Sequence, residues 1–164
     1  MMYKSLALFL FGLSCEIAFA AAPQNIDGFT SIMSALNNPG SFSVLVGELQ
    51  SSKTAMLLDK INTKEKMTLL APTDKALNDF GQIGALRGTP LLEQFLKHHM
   101  IEGLKDRKWL RSHRTAQMLS GKQINLKNIG KIAYTIETDN GIIHVINKVV
   151  LHPDVRKKLG IKDS

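Results

Sequence analysis

Cysteine is almost absent from this chain, because Cys15 is the only one among 164 residues. It lies in an N-terminal segment that we expect to be removed. The mature domain would then contain no disulfide and would depend on side-chain packing for its stability. The same absence removes any cysteine nucleophile and any cysteine ligand for a metal from the mature domain.

Long apolar runs are also missing. The run at residues 6–13 is far shorter than the roughly 20 residues that cross a bilayer, and Glu16 follows it closely. Lys4 precedes the run, and the small-residue motif at residues 18–20 suits cleavage before Ala21. This pattern predicts a secretory signal, an exported protein that is secreted or periplasmic, and a mature form with no transmembrane segment.

Cys15 leaves a second form open, in which the exported protein is anchored by a lipid on this cysteine. Gly12 stands where the lipid-attachment motif usually has leucine. A chain of this length supports one hydrophobic core. We therefore divide the sequence into a signal peptide at 1–20, a linker at 21–25, one domain at 26–153 and a charged, solvated tail at 154–164.

Motifs of catalysis are missing as well. The sequence has no Gly-x-Ser-x-Gly elbow and no glycine-rich loop of the kind that cradles phosphates. No His, Asp and Glu cluster has the spacing of a metal site. We predict that the protein is not an enzyme and has no cofactor or metal.

Acidic residues are outnumbered, with fourteen Asp and Glu against twenty-one Lys and Arg and a net charge of +7. Removal of residues 1–20 takes one charge of each sign, so the mature chain keeps this excess. A charge of this size favours polyanionic partners. Five basic residues surround Trp109, and this candidate polyanion or glycan contact consists of Lys105, Arg107, Lys108, Trp109, Arg111 and Arg114.

Arginine in this cluster suits carboxylate, sulfate and phosphate groups, because its planar guanidinium donates two parallel hydrogen bonds. Trp109 would stack on a sugar ring. The alternative interpretation is a solvated charged face with Trp109 in the core. Both remain open on the sequence.

The first third of the chain is predicted to be helical. Apolar residues recur at the i, i+3, i+4 spacing in residues 29–36 and 42–49, with Ser41 as a cap for the second helix, and a further apolar stretch spans 54–58. The run at 67–71 is predicted to be a buried strand.

Pro72 ends that strand, and Thr73 supplies a cap for a helix that begins with Asp74. Thr89 and Pro90 start another helix, which is predicted to carry His99 on its inner face. A strand is therefore followed by two capped helices.

Two β-branched runs, at 132–138 and 142–150, predict a β-hairpin around Asn140 and Gly141. With these two residues at the centre of the turn, Glu137 lies opposite His144. A carboxylate in that position would orient the imidazole. The pair supports the fold in one interpretation and forms an acid–base pair in an enzyme hypothesis.

Three blocks of sequence, Thr68–Leu77, Leu96–Gly103 and Asn140–Leu151, stand in a recognisable order, and together they resemble the fasciclin domain family. Residues 70 and 77 are leucine where phenylalanine is common in the family. Residue 98 is histidine where tyrosine is frequent, and Asn147 replaces the usual aspartate. Pro153 falls one place late.

The resemblance implies an α+β fold, a wedge-shaped β-sandwich with short helices packed around it. It also implies a role outside the cytoplasm in adhesion to protein or glycan on a cell surface or matrix. His99 and His144 are then structural histidines. The signature corner, which consists of Ala71, Pro72, Thr73 and Asp74, is an adhesion candidate whose residues strand termination and helix capping also explain.

Two functional hypotheses follow. The first is a secreted or periplasmic adhesion module that binds a protein or glycan. The second is an electrostatic binder of anionic polysaccharide or lipopolysaccharide through the basic surface. No nucleic acid partner is expected, and the pair of Glu137 and His144 carries a third, enzymatic hypothesis.

Overall fold

The computed structural model describes residues 28–37, 40–51, 54–63 and 65–162. The predicted signal peptide and linker, and the predicted start of the domain at Ile26, lie outside these residues. Among the helices that are described, none combines the length and the apolar character needed to cross a membrane.

The helices are short, with five to eight residues each, because polar and turn-forming residues interrupt the apolar pattern. In the described chain they are α1 (Ile32–Leu36), α2 (Ser43–Leu49), α3 (Ala55–Asn62), α4 (Asp74–Phe80), α5 (Pro90–Lys97), α6 (Arg107–Ser112) and α7 (Pro153–Lys158). Two 3-10 turns accompany them, at Ile83–Leu86 and Leu126–Asn128. The helices predicted in the first third and after Thr73 are confirmed. The helix predicted after Thr89 is present, but it ends at Lys97 and so does not carry His99.

The described strands form two sheets. They are β1 (Met67–Pro72), β2 (Met100–Glu102), β3 (Thr115–Gln117), β4 (Gln123–Asn125), β5 (Ile132–Thr138) and β6 (Gly141–Ile146). The larger sheet has the order β2-β1-β6-β5, in which β1 and β6 are parallel and the other neighbours antiparallel. Strands β3 and β4 pair separately. The α+β class is confirmed.

The larger sheet has an apolar core on each face, because successive side chains of a strand point to opposite sides. Leu69 and Val145 belong to the core that the helices cover. Leu70 and Ile146 belong to a second core, which they share with Ile124 of the smaller sheet. The smaller sheet therefore covers the face that the helices leave.

The predicted β5–β6 hairpin is present, but its predicted register is wrong by two residues. Glu137 pairs with Ile142, and Thr135 lies opposite His144. Strand β6 also ends at Ile146, before the predicted end at residue 150. The predicted pair of Glu137 and His144 therefore does not form.

Tertiary contacts explain why Asn140 and Gly141 are not the two central turn residues. The Asn140 side chain is buried, where it accepts a hydrogen bond from the Ile32 amide (2.9 Å) and donates to the Ile61 carbonyl (2.8 Å). Gly141 is the first residue of β6, and a Cβ there would lie 2.4 Å from the carbonyl oxygen of Met67. Gly141 permits the close approach of two strands and is not needed for a turn.

The C-terminal segment also differs from the prediction. Residues 153–158 form α7, where the sequence predicts a solvated tail from 154. Val155 is fully buried and Leu159 packs against the same core, four residues later and so on the same face. Three basic residues in the last turn interact favourably with the negative end of the helix dipole. One narrow apolar stripe is enough to hold this charged helix.

Candidate anion-binding site

The signature corner is built from buried backbone and capping groups. Ala71 and Pro72 are buried at the end of β1. The hydroxyl oxygen of Thr73 accepts a hydrogen bond from the Ala76 amide at 3.2 Å and so caps α4, as predicted.

Asp74 caps a second helix, α2, which the sequence did not indicate. Its Oδ2 accepts hydrogen bonds from the Ser43 amide (3.0 Å) and hydroxyl (2.6 Å), and its Oδ1 accepts one from the Val44 amide (2.9 Å). The N-cap residue of α2 is Phe42, which has no capping side chain, and the predicted cap at Ser41 is wrong. Both carboxylate oxygens of Asp74 are therefore hydrogen-bonded to the first turn of α2.

His99 lies just after α5 and is buried in the core. Its Nδ1 donates to the Phe95 carbonyl at 2.9 Å, and its Nε2 accepts a hydrogen bond from the Val150 amide at 3.1 Å. Burial lowers the pKa of His99 to about 4, against a weaker opposite effect of the Phe95 carbonyl. The imidazole is neutral, with its proton on Nδ1.

Two further buried histidines lie beside it. The Nδ1 of His98 is 2.8 Å from the hydroxyl of Ser120, and its ring meets the ring of His152 edge-on at 5.0 Å. Burial, and then electrostatic interactions with the rings of His99 and His152, lower the pKa of His98 to about 3. His152 caps α7 by accepting from the Asp154 amide at 3.1 Å. Within the described residues, no group of three His, Cys, Asp or Glu side chains can hold a metal ion.

His144 fastens the chain before α6 to the sheet. Its Nε2 donates to the Lys105 carbonyl at 2.7 Å, so its Nδ1 accepts from the Thr135 hydroxyl at 2.9 Å. The Thr68 hydroxyl accepts from the Lys105 amide and donates to the Gly103 carbonyl, both at 2.8 Å. Burial is the main cause that lowers the pKa of His144. These bonds set the point at which α6 begins.

Helix α6 is held in place by an N-terminal cap, by a buried leucine and by a hydrogen bond to β5. Asp106 caps it by accepting from the Trp109 amide at 2.6 Å, and Leu110 is buried in the second core. The Arg107 guanidinium donates to the Ile132 carbonyl at 2.8 Å, which ties the helix to β5. Asp106, the acidic residue among the basic residues of this segment, therefore serves as the N-cap of α6.

A groove of about 620 Å³ opens beside α6. We call it the cationic groove, and its charged side chains are Arg107, Arg111, Arg114, Lys127 and Lys131. Apolar side chains, among them Leu110 and Leu126, also line it, and no Asp or Glu does. Four of the five cations, those other than Arg107, are exposed and have no ion pair within the described chain. An anion entering the groove meets uncompensated positive charge.

The remaining members of the predicted basic cluster lie elsewhere. Lys105 and Trp109 line a separate pocket of about 420 Å³ that includes Glu102. The indole of Trp109 stacks on the ring of His113 with 3.9 Å between centroids, and the Lys105 ammonium lies 4.8 Å from the indole centroid. Lys108 is exposed and lines neither pocket. The structure therefore divides the predicted cluster between two pockets and leaves Lys108 outside both.

Comparison with known families agrees with this architecture. The sequence model of the Fasciclin domain matches residues 40–152. The chain belongs to the fasciclin family. A relative from Synechocystis sp. (strain ATCC 27184 / PCC 6803 / Kazusa), the uncharacterized protein sll1735, is 33% identical over 121 residues, which are 67% of this chain and 89% of the relative. Fasciclin domains are generally adhesion or binding modules, and they are typically extracellular and non-enzymatic.

The three signature blocks of this fasciclin domain contact one another. Strands β1 and β6, from the first and third blocks, pair in parallel. His99 of the middle block accepts its hydrogen bond from Val150 of the third. The block residues His99 and His144 thus serve contacts within the domain, whereas the residues that line the cationic groove lie outside the three blocks.

Lys127 and Lys131 are the groove residues that the sequence analysis missed. One signal points to them. Residues 105–164 carry thirteen Lys and Arg against five Asp and Glu, whereas residues 1–104 carry eight against nine, so the whole charge excess lies in the last part of the chain.

Proposed function

We propose that this fasciclin protein is an exported adhesion module that binds an anionic glycan of a cell surface or matrix through the cationic groove. The observation that carries the proposal is a groove with five cationic side chains and no acidic one. Guanidinium groups match carboxylate and sulfate geometry, and lysines add charge without demanding a fixed orientation. The adhesion and polyanion hypotheses raised by the sequence are thus joined at one surface.

Electrostatic energy supports a ligand of this kind. Two unit charges about 8 Å apart in water repel by about 0.5 kcal/mol, and the groove brings five cationic side chains together. Because nearby anions do not offset this repulsion, it lowers the stability of the free domain. A bound anionic polymer removes the repulsion and gains new ion pairs, so ligand binding and stability rise together.

Export is part of the proposal. The basic start, apolar run and small-residue motif of residues 1–20 support a secretory signal, and fasciclin domains are typically extracellular. Cleavage before Ala21 releases a mature chain, whereas lipid on Cys15 would anchor it. The mass of the N-terminal peptide of the exported protein distinguishes the two forms.

The proposal is tested on a heparin column, with heparin as the anionic polysaccharide. The groove variant carries Arg111→Gln, Arg114→Gln and Lys127→Gln. The control carries Lys108→Gln, Lys157→Gln and Lys158→Gln, which removes the same charge from exposed positions outside the groove. We expect the groove variant to elute at clearly lower salt than wild type, and the control to elute close to wild type.

Thermal melting of all three proteins accompanies the column, since a folded groove variant is required for the comparison. Equal elution of the two triple variants would mean that net charge alone causes retention, and the groove would lose its role. Failure of the wild-type protein to bind heparin at physiological salt would contradict the proposal itself.

A further inference from the structure

A second groove that is also lined by cations lies beside the first. It has a volume of about 390 Å³ and is lined by the cationic residues Lys148, Arg156 and Lys162. No Asp or Glu lines it. We call it the second groove. Its lining includes residues of α7 and of the segment that follows β6. None of its lining residues was predicted from the sequence to belong to a site.

The two grooves share one segment of the chain as a common wall. Residues 123–132 run between them, and neighbouring positions face different grooves. Lys127 and Ile129 line the cationic groove, whereas Asn128 between them lines the second groove. Because adjacent residues of one segment line both grooves, a flexible polymer that occupies one groove lies next to the other.

We infer that one linear anionic polysaccharide occupies both grooves by crossing the wall at residues 123–132. This inference rests on the proposed function and adds that the ligand is a polymer held at two places. Once one part of the chain is bound in the cationic groove, binding in the second groove is intramolecular, which raises the overall affinity without a new surface. A short anionic sugar gains nothing from the second groove.

The lining favours a polysaccharide over a single-stranded nucleic acid. Proteins that bind single strands without sequence preference stack the bases on aromatic side chains. Neither groove is lined by Phe, Tyr or Trp. The second groove instead presents the exposed amides of Gln123 and Asn128, which can donate to and accept from sugar hydroxyl groups.

The test compares ligand length. Binding of labelled heparin-derived tetrasaccharide and dodecasaccharide is measured by fluorescence anisotropy at physiological salt. The variant Lys148→Gln with Lys162→Gln removes two charges from the second groove, and the control, Lys157→Gln with Lys158→Gln, removes two from exposed positions of α7 outside both grooves.

We expect the second-groove variant to bind the dodecasaccharide roughly five- to tenfold more weakly than wild type, as for two lost surface ion pairs. Its binding of the tetrasaccharide should stay within about twofold, and the control should stay within about twofold for both ligands. Melting temperatures confirm that the exposed substitutions leave the domain folded.

The outcomes separate this inference from the proposed function. If wild type binds both lengths equally tightly, or if the second-groove variant weakens both equally, the two-groove inference is overturned and the cationic groove remains. If wild type binds neither sugar, both the two-groove inference and the proposed function are overturned. If single-stranded DNA of matched charge binds as tightly as the dodecasaccharide and shows the same loss in the variant, the assignment to polysaccharide is overturned.

Discussion

Replacing His99 by glutamine should make the stability of this domain depend less on pH. In the folded chain the imidazole is neutral, because Nδ1 donates to the Phe95 carbonyl and Nε2 accepts from the Val150 amide. A proton added to Nε2 would face the N–H of Val150 and place a charge in the apolar core. This is why burial lowers the pKa of His99 to about 4.

The sign and size of this pH dependence follow from the pKa of His99 in the folded and in the unfolded chain. Histidine in the unfolded chain has a pKa of about 6.5, so the unfolded chain takes up the proton first as the pH falls. The contribution of His99 is present in full above that pH and is lost as the pH falls towards about 4. The loss amounts to about 3 kcal/mol, with a slope of at most about 1.4 kcal/mol per pH unit. His98, His144 and His152 also have lowered pKa values and add loss in the same direction.

Urea unfolding at a series of pH values, from about 7 to about 4.5, measures this slope while most carboxylates stay ionised. The His99→Gln variant should be less stable at neutral pH but have a slope shallower by about 1 kcal/mol per pH unit near pH 5. Ile61→Val is the control, since it trims a fully buried side chain and costs about 1 kcal/mol at every pH.

A slope in the His99→Gln variant equal to that of wild type would refute the reasoning, because the neutral imidazole would then contribute nothing to the pH dependence. A shallower slope in the Ile61→Val control would also refute it, since any loss of stability would then produce the effect.

Two further substitutions test how the signature residues support the fold. Asp74→Ala should lower the free energy of unfolding in urea by about 2–3 kcal/mol because α2 loses its cap. The control Asp79→Ala, whose exposed carboxylate pairs with one lysine, should cost under about 0.5 kcal/mol. Equal losses in the two variants would contradict the capping role. Gly141→Ala should cost about 3 kcal/mol because its Cβ would overlap the carbonyl oxygen of Met67, whereas Gly47→Ala, in open space on α2, should stabilise by up to about 1 kcal/mol. A neutral Gly141→Ala substitution in thermal melts would contradict the close-approach argument.

Local patterns were sufficient for much of the fold. The strand ending at Pro72, the cap at Thr73 and the two helices that follow are set by neighbouring residues, so the sequence predicts them correctly. The family follows from three blocks of sequence for the same reason, since each block is a continuous run. The basic character of the surface near α6 is likewise a property of composition and helical spacing.

Contacts between distant residues decided the rest. The hairpin register depends on Asn140 reaching α1 and α3 and on Gly141 passing close to β1, and the cap of α2 comes from Asp74, thirty-one residues away. The cationic groove joins α6 to residues 126–132, and the second groove joins residues 123–128 to α7. The sequence by itself determined the fold class, the family and the excess of positive charge. Only the tertiary structure decided which cations share a groove, because side chains distant in sequence meet only where packing brings their elements together.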